Sequence, residues 1–246
     1  MRFLISIDDT DRVNSGGTGR LAYELGRTLE EHTGAKLLEV TRHQLFRSPL
    51  IACTTRNSAA CLVMDGEKDL LRSFELECRS FLLHNSEAGA DAGMALTELA
   101  IVSGEVVAWG RIAKTQVLSR NEAREVARKN GILVSALSGD GNGLIGALAA
   151  VGLRAGGEDG RYLWLPGLCE LKGIYTLTEL LSQCSFGRVE TLRGRTPHFD
   201  DRIDVGRRAY PIVRGDRSVL LVERSQDPQR CEWQVLDRAH IEQLSE

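Results

Sequence analysis

Apolar and polar positions alternate between two rhythms for most of the chain. Arg2–Ile7 is a nearly unbroken β-branched and apolar run, which predicts a buried strand. From Gly19 to Thr33, Leu21, Leu25 and Leu29 recur at helical spacing, and Gly34 predicts the stop. Lys36–Arg42 and Ala59–Met64 return to strand character. Over Glu67–Leu83 the residues Leu70, Leu71, Phe74 and Leu82 favour one side of a helix. His84–Gly93 is a polar loop punctuated by glycine. Met94–Val102 predicts another strand, and Glu105–Val117 has helical spacing. Ser119 followed by Glu122 is a capping-box match, opening a helix expected to end near Gly131. A second glycine-rich loop, SGDGNG at 138–143, runs into the small-residue helix LIGALAAVG, and Tyr162–Leu165 restores strand character.

This alternation to about residue 180 predicts an α/β domain, with α+β as the variant: a mixed sheet with flanking helices. After Ser185 the texture changes. Segment 186–224 holds nine arginines against six acids, a local balance of +3, with short strand candidates at Ala209–Val213 and Val219–Val222. Glu232–Leu236 suits a further strand, and a short helix closes the chain. The expected organisation is a catalytic domain over 1–185 and a small β-rich, arginine-rich domain over 186–246.

Composition narrows the function classes. The 246 residues are 42% hydrophobic and 26% charged, enough for a sizeable core. A net charge of −3 gives no whole-chain signal for nucleic acid, and 5% aromatic residues argue against extensive base-stacking platforms. No apolar run approaches the ~20 residues of a membrane span, and the start lacks a signal-peptide pattern, so a cytoplasmic protein is expected. The six cysteines form no C-x-x-C, and the five histidines show no metal-ligand spacing.

The chemistry concentrates behind the first strand. Asp8, Asp9 and Asp11 crowd its C-terminal end, where open α/β sheets bind ligands. Clustered carboxylates repel one another unless a cation bridges them, and Mg²⁺ takes one or two carboxylates with water and substrate phosphate. Gly16, Gly17 and Gly19 allow close backbone approach, and Thr18 puts a hydroxyl near a helix N-terminus that favours phosphate. Gly139, Gly141 and Gly143 repeat the device before a second helix. Arg56 suits a phosphate through its guanidinium, and Asn57, Asn85 and Ser86 offer hydrogen bonds. Neither a Walker A pattern nor a dinucleotide G-x-G-x-x-G is present.

In series, IDDTD, the glycine–threonine turn, the TRN element, HNSEAGADAGMAL and GLIGALAAVG resemble the kinase-like catalytic domain of the archaeal isoleucine-tRNA 2-agmatinylcytidine synthetases. The likeness covers about residues 1–165. It implies ATP and Mg²⁺, with Asp8, Asp9 and Asp11 as metal or phosphate ligands, Thr18 at the family's reactive threonine and Arg56 in its arginine-bearing element. Departures accompany it. The family's turn is Cys-Thr-Thr where this chain has Gly17-Thr18-Gly19, and Thr54 stands where the family has a lysine. The family continues into an oligonucleotide-binding fold and a zinc ribbon that hold tRNA, and the cysteine spacing here cannot build the ribbon. The resemblance therefore implies an ATP- and Mg²⁺-dependent phosphotransferase or ligase-like enzyme with a nucleotide substrate, an open acceptor and RNA among the partners to test.

Two other readings fit the residues. Asp9-Thr10-Asp11-Arg12-Val13, with Gly139-Asp140-Gly141-Asn142-Gly143 lacking a final aspartate, also resembles the motifs of haloacid-dehalogenase-like phosphatases. That resemblance would imply Asp9 as nucleophile, Asp11 as general acid, Asp140 as metal ligand and Lys114 or Lys129 against the phosphate. A nucleotide-sensing or nucleic-acid-binding module would use the arginines of 186–224.

Overall fold

The computed structural model describes residues 1–11, 16–51 and 57–245. Its chain forms two compact units, Met1–Gly156 and Gly157–Glu246. Strands and helices alternate as the periodicities predict, and both parallel and antiparallel strand pairs occur. No helix among the described residues is long and apolar enough to cross a membrane.

The first unit is built on five strands: β1 (Arg2–Asp8), β2 (Lys36–Gln44), β3 (Ser58–Asp65), β4 (Gly93–Glu98) and β5 (Leu133–Ala136), in the order β5-β4-β1-β3-β2. Every described pairing among them is antiparallel. The central β1 is buried on both faces. Its odd positions face α1 (Thr18–Thr33) and α2 (Leu71–Asn85): Phe3 meets Phe74 of α2 edge-on at 5.1 Å. Its even positions face α5 (Gly143–Ala155), where Leu4 joins the core beneath the sheet and the Ser6 hydroxyl donates to the Ala147 carbonyl. Because Asp8 is the next even position, periodicity two turns it toward α5. Outside α5 lie α3 (Gly104–Ile112) and α4 (Arg120–Lys129); α4 opens with the predicted capping box between Ser119 and Glu122.

In the first unit two predicted elements are shorter than their apolar runs. The strand from Met94 stops at Glu98, because Leu99–Ile101 closes into a single 3₁₀ turn. The helix over Glu105–Val117 stops at Ile112, and the Ala113 carbonyl accepts from Phe46 N at 2.9 Å.

The second unit holds β6 (Arg161–Trp164), β7 (Ile174–Thr176), α6 (Leu177–Gln183), β8 (Arg188–Glu190), β9 (Arg202–Asp204), β10 (Ile212–Arg214), β11 (Arg217–Arg224), β12 (Trp233–Val235) and α7 (Arg238–Ser245). Its strands run β6-β10-β11-β12-β9-β7, with β8 beside β11. The β8–β11 and β12–β9 pairs are parallel, the others antiparallel. The unit begins ahead of the change of texture at 185/186 for a packing reason. Tyr162, Leu177 and Leu180 bury themselves with Val189, Ile203 and Trp233 in one core.

Candidate functional site

A cavity of about 700 Å³ opens in the first unit at the C-terminal tip of β1. Asp8, Asp9, Asp11 and Thr18 line it, together with Asp91, Gly139, Asp140, Asn142 and Gly143 from two loops that are distant in sequence. Strand pairing brings these loops together. Asp8 stands opposite Gly93 on β4, and Gly93 opposite Ala136 on β5, so the segments before β4 and after β5 meet at one edge of the cavity. The rest of the lining is largely apolar, with Leu45, Leu50, Ile51, Val117 and Ile145.

Asp8 is 8% exposed, and its carboxyl faces α5 so closely that a Cβ on Gly146 would lie 1.8 Å from its Oδ2. Burial pushes this carboxyl up to about 8, and the charges of Asp9, Asp11 and Asp91 push the same way against a hydrogen bond from the Asp9 backbone. Asp9 follows with φ 49°, a left-handed conformation that aspartate tolerates better than most residues and that turns the chain sharply off the strand. Beyond the turn, Thr10 Oγ1 donates to Thr18 Oγ1 at 3.1 Å, and Thr18 Oγ1 donates to Asp11 Oδ1 at 3.4 Å. The hydroxyl of Thr18 thus has its proton directed at a carboxylate.

Asp91 is held differently. Its carboxylate accepts from the backbone N–H of Gly141 and, at 2.9 Å, from that of Asn142, while its carbonyl accepts from Gly143 N at 3.2 Å. Ser138 completes the clamp, donating to the Ala90 carbonyl at 2.8 Å and accepting from Ala92 N at 3.0 Å. The glycine loop is therefore tied to the segment before β4, and Gly143 packs so near it that a Cβ there would lie 2.2 Å from the Asp91 carbonyl oxygen.

The sequence-predicted residues divide accordingly. Asp8, Asp9, Asp11, Thr18, Asn57, Gly139 and Gly143 share the cavity, with the Asn57 amide donating to the Phe46 carbonyl at 2.8 Å. Gly16, Gly17 and Asn85 line a smaller space of about 230 Å³ that also touches Asp11. Asn85 ends α2 and donates to the Phe81 carbonyl at 2.7 Å. Gly19 lies within α1, and Gly141 has φ 83° in the clamped loop; neither lines either space. Arg56 lies outside the described residues, as do Thr54 and Thr55. Asp91 is the site residue that sequence reasoning misses. Its one signal is an aspartate flanked by Gly89 and Gly93 directly ahead of a strand. Of the rival phosphatase lysines, neither Lys114 nor Lys129 lines the cavity, and Lys129 pairs with Glu125 at 3.5 Å.

No protein-family model matches the sequence. Among solved structures the chain is similar to TiaS in its complex with tRNA and ATP, with a TM-score of 0.53 and 25% identity over 62% of this chain and 36% of that one. It is similar also to apo TiaS, a tRNA agmatidine synthetase, at 0.53 and 23% over 62% and 35%. The chain carries a partial TiaS-like domain. A tRNA fluorescent labeling enzyme matches the TiaS-like fold to the same extent, at 0.54 and 25% over 62% and 36%. The uncharacterized protein MJ0921 of Methanocaldococcus jannaschii is 28% identical over 172 residues, 69% of this chain and 54% of that protein. The chain thus spans about half the length of this curated relative and about a third of the solved TiaS chains.

The donor set in this TiaS-like chain bears on an ion. Five aspartates line the cavity, and among the described lining residues there is no lysine or arginine. A polyphosphate entering such a space needs an accompanying cation. Among the described residues no three His, Cys, Asp or Glu side chains are grouped to hold a metal by themselves. A pair of carboxylates completed by water and phosphate is the way magnesium is usually bound, and Asp8 and Asp9 are the lining residues that would supply such a pair.

Proposed function

We propose that the cavity binds ATP together with Mg²⁺ and that the protein is an ATP-dependent phosphotransferase or ligase-like enzyme, with an oxygen of an RNA nucleoside as the acceptor class. One observation carries the reading: Asp8, Asp9 and Asp11 converge with the clamped 139–143 loop and Thr18 on one cavity. The TiaS-like fold supports it, since TiaS is solved in a complex with tRNA and ATP.

In this reading Asp8 and Asp9 hold the cation at the tip of β1. A cation held there would supply charge neutralisation for the phosphates, and Asp8 and Asp9 are the side chains that would position it. Gly139 and Gly143 keep the cavity wall free of side chains, so that phosphate approaches the backbone. Thr18 and Asp11 form a hydroxyl–carboxylate pair of the kind that activates a nucleophile, at a separation usual before substrate closes the site. The apolar lining at Leu45, Leu50, Ile51 and Val117 suits the face of a nucleobase. Arg56, carried over from the family resemblance alone, would neutralise charge developing in transfer.

The test is calorimetric titration with a non-hydrolysable ATP analogue and Mg²⁺, followed by ADP release assays. Binding that requires Mg²⁺, and that Asp8→Ala or Asp9→Ala abolishes in a folded protein, is the expected result. Undiminished binding and turnover in both variants would overturn the proposal.

A further inference from the structure

The second unit carries a surface that the cavity does not explain. Its centre is Trp233 on β12, which is 2% exposed and held by its indole N–H, donating to Asp201 Oδ2 at 2.7 Å. Two guanidinium groups lie over this indole, that of Arg224 at 4.2 Å and that of Arg195 at 5.9 Å from the ring centre. Arg195 belongs to a tight turn. Thr191 N donates to the Arg195 carbonyl at 2.8 Å, Gly194 N to the Thr191 carbonyl at 2.8 Å, and Arg195 N to the Thr191 hydroxyl at 3.1 Å. Arg193 belongs to the same turn and is exposed.

Several arginines of this unit are paired with carboxylates, whereas these three, like Arg207, Arg208 and Arg217, have none in the ion pairs of the described residues. Arg202 pairs with Glu232 at 3.1 Å, Arg230 with Asp204 at 3.1 Å and Arg214 with Glu190 at 3.2 Å. An arginine stacked on an indole gives its flat face to the ring and keeps its N–H edge for another ligand. The stacking also fixes the side chain beforehand, which lowers the entropic cost of binding.

Beside the turn, His198 and Phe199 present rings to solvent, Phe199 being 65% exposed, with their centroids 6.4 Å apart. Their backbone is anchored to the same centre. His198 N donates to Asp201 Oδ2 at 2.8 Å, the oxygen that also receives the Trp233 indole, and the Phe199 carbonyl accepts from Thr178. Three cationic edges beside two exposed aromatic rings on an ordered loop are the elements that track a phosphate backbone and stack unpaired bases.

We propose that the 191–199 loop, with Arg224, is a binding surface for single-stranded RNA. It is independent of the ATP reading: the two sites share no residue, and RNA binding here needs no nucleotide. Single strands are favoured over duplex because exposed rings stack only on bases that are free of a partner.

The experiment is fluorescence anisotropy on the full chain without ATP, using a labelled 12-nucleotide single-stranded RNA and the corresponding duplex over a salt series. Binding to the single strand is expected, with log affinity falling against log salt at a slope of about −2, from three phosphate contacts at ~0.7 each. Phe199→Ala is expected to weaken single-strand binding by about tenfold, as loss of one stacked base requires. Arg193→Ala/Arg195→Ala/Arg224→Ala is expected to remove the salt dependence. Since Arg195 and Arg224 pack on Trp233, Arg193→Ala and Phe199→Ala, at exposed positions, keep the test valid if the triple variant fails to fold. Binding to the labelled strand is expected without ATP or Mg²⁺ and unchanged when they are added, so failure of the ATP reading leaves this result unchanged. Equal affinity for the duplex, equal displacement by polyglutamate in place of RNA, or unaltered binding by Arg193→Ala and Phe199→Ala would overturn the proposal.

Discussion

The tip of β1 and the loop ahead of β4 each place an aspartate on the same cavity, yet the two carboxylates are treated in opposite ways. Asp91 accepts two backbone N–H groups and holds the 139–143 loop in place. Asp8 sits against α5 with three other aspartates acting on it, and its carboxyl is pushed up to about 8. A buried anion with donors strengthens a fold; one surrounded by like charge weakens it. Within one cavity, then, one acid serves the architecture and the other is held at a cost that stability alone does not explain. Strain of this kind concentrates where a ligand is to be received.

The largest effect that follows is on activity. Asp8→Asn removes the carboxyl's ability to ionise toward a ligand and nearly keeps the shape. ATP turnover is expected to fall by on the order of a hundredfold or more, as when one charge-stabilising group is lost from an active site. At neutral pH, above the carboxyl's unfolded value, the ligand-free protein should nevertheless melt a few degrees higher, because the cost of burying this carboxyl is gone; the gain should disappear as pH falls below that unfolded value. Calorimetric Tm and ADP release on the same preparation decide it. A variant that is both less stable and fully active would break the comparison.

Asp91→Ala should move stability the other way. Two hydrogen bonds to a charged acceptor are lost and the loop is released, a cost of about 2–4 kcal/mol in chemical denaturation. Next comes Gly146→Ala. Its new Cβ would fall 1.8 Å from Asp8 Oδ2, so either α5 or the carboxyl must shift, at about 1–3 kcal/mol. The penalty should persist in an Asp8→Asn background, since the clash is with the atom's position and not with its charge. In an Asp8→Ala background, where that atom is gone, most of the penalty should disappear. An undiminished penalty there would contradict the contact.

How far these features can be read from residues depends on whether their cause is local. The rhythm of Leu21, Leu25 and Leu29 marks α1, and Ser119 with Glu122 marks the start of α4, since both patterns act within one element. The same device, Thr176 with Glu179, opens α6 and is equally present in the sequence. Short neighbours hide it: β7, β8 and β9 have three residues each, too few for a period to show. The run from Met94 continues past Glu98 in hydropathy alone, and nothing in its composition marks the 3₁₀ turn. At the cavity, the cluster of Asp8, Asp9 and Asp11 is visible because its members are adjacent. Asp91 becomes meaningful only when strand register sets Asp8 opposite Gly93 and carries the 139–143 loop beside it. The GLIGALAAVG helix is legible as small residues, but their purpose lies in what they approach: Asp8 at Gly146 and the Val106 carbonyl at Gly152.

The smallest expected effect extends the comparison to a third carboxylate. Asp201, in the second unit, is satisfied in the manner of Asp91. The Trp233 indole N–H bonded to it holds its carboxyl below the ordinary value of 3.8, aided by the His198 backbone N–H. The sign follows from linkage: a depressed carboxyl contributes stability above its unfolded value and loses it as pH falls through its folded one. The contribution of Asp201 should therefore be complete at about pH 5 to 7 and vanish only below about pH 4. Asp201→Asn should lower Tm slightly at about pH 6, and the gap should close as pH falls through the carboxyl's lowered folded value, with Trp233 emission altered throughout. Because Asp201 is partly exposed, solvent screens the effect and keeps it small. A gap between parent and variant that widens on acidification would mean that the indole hydrogen bond does not favour the charged form. The contrast with Asp8 would then rest on burial alone.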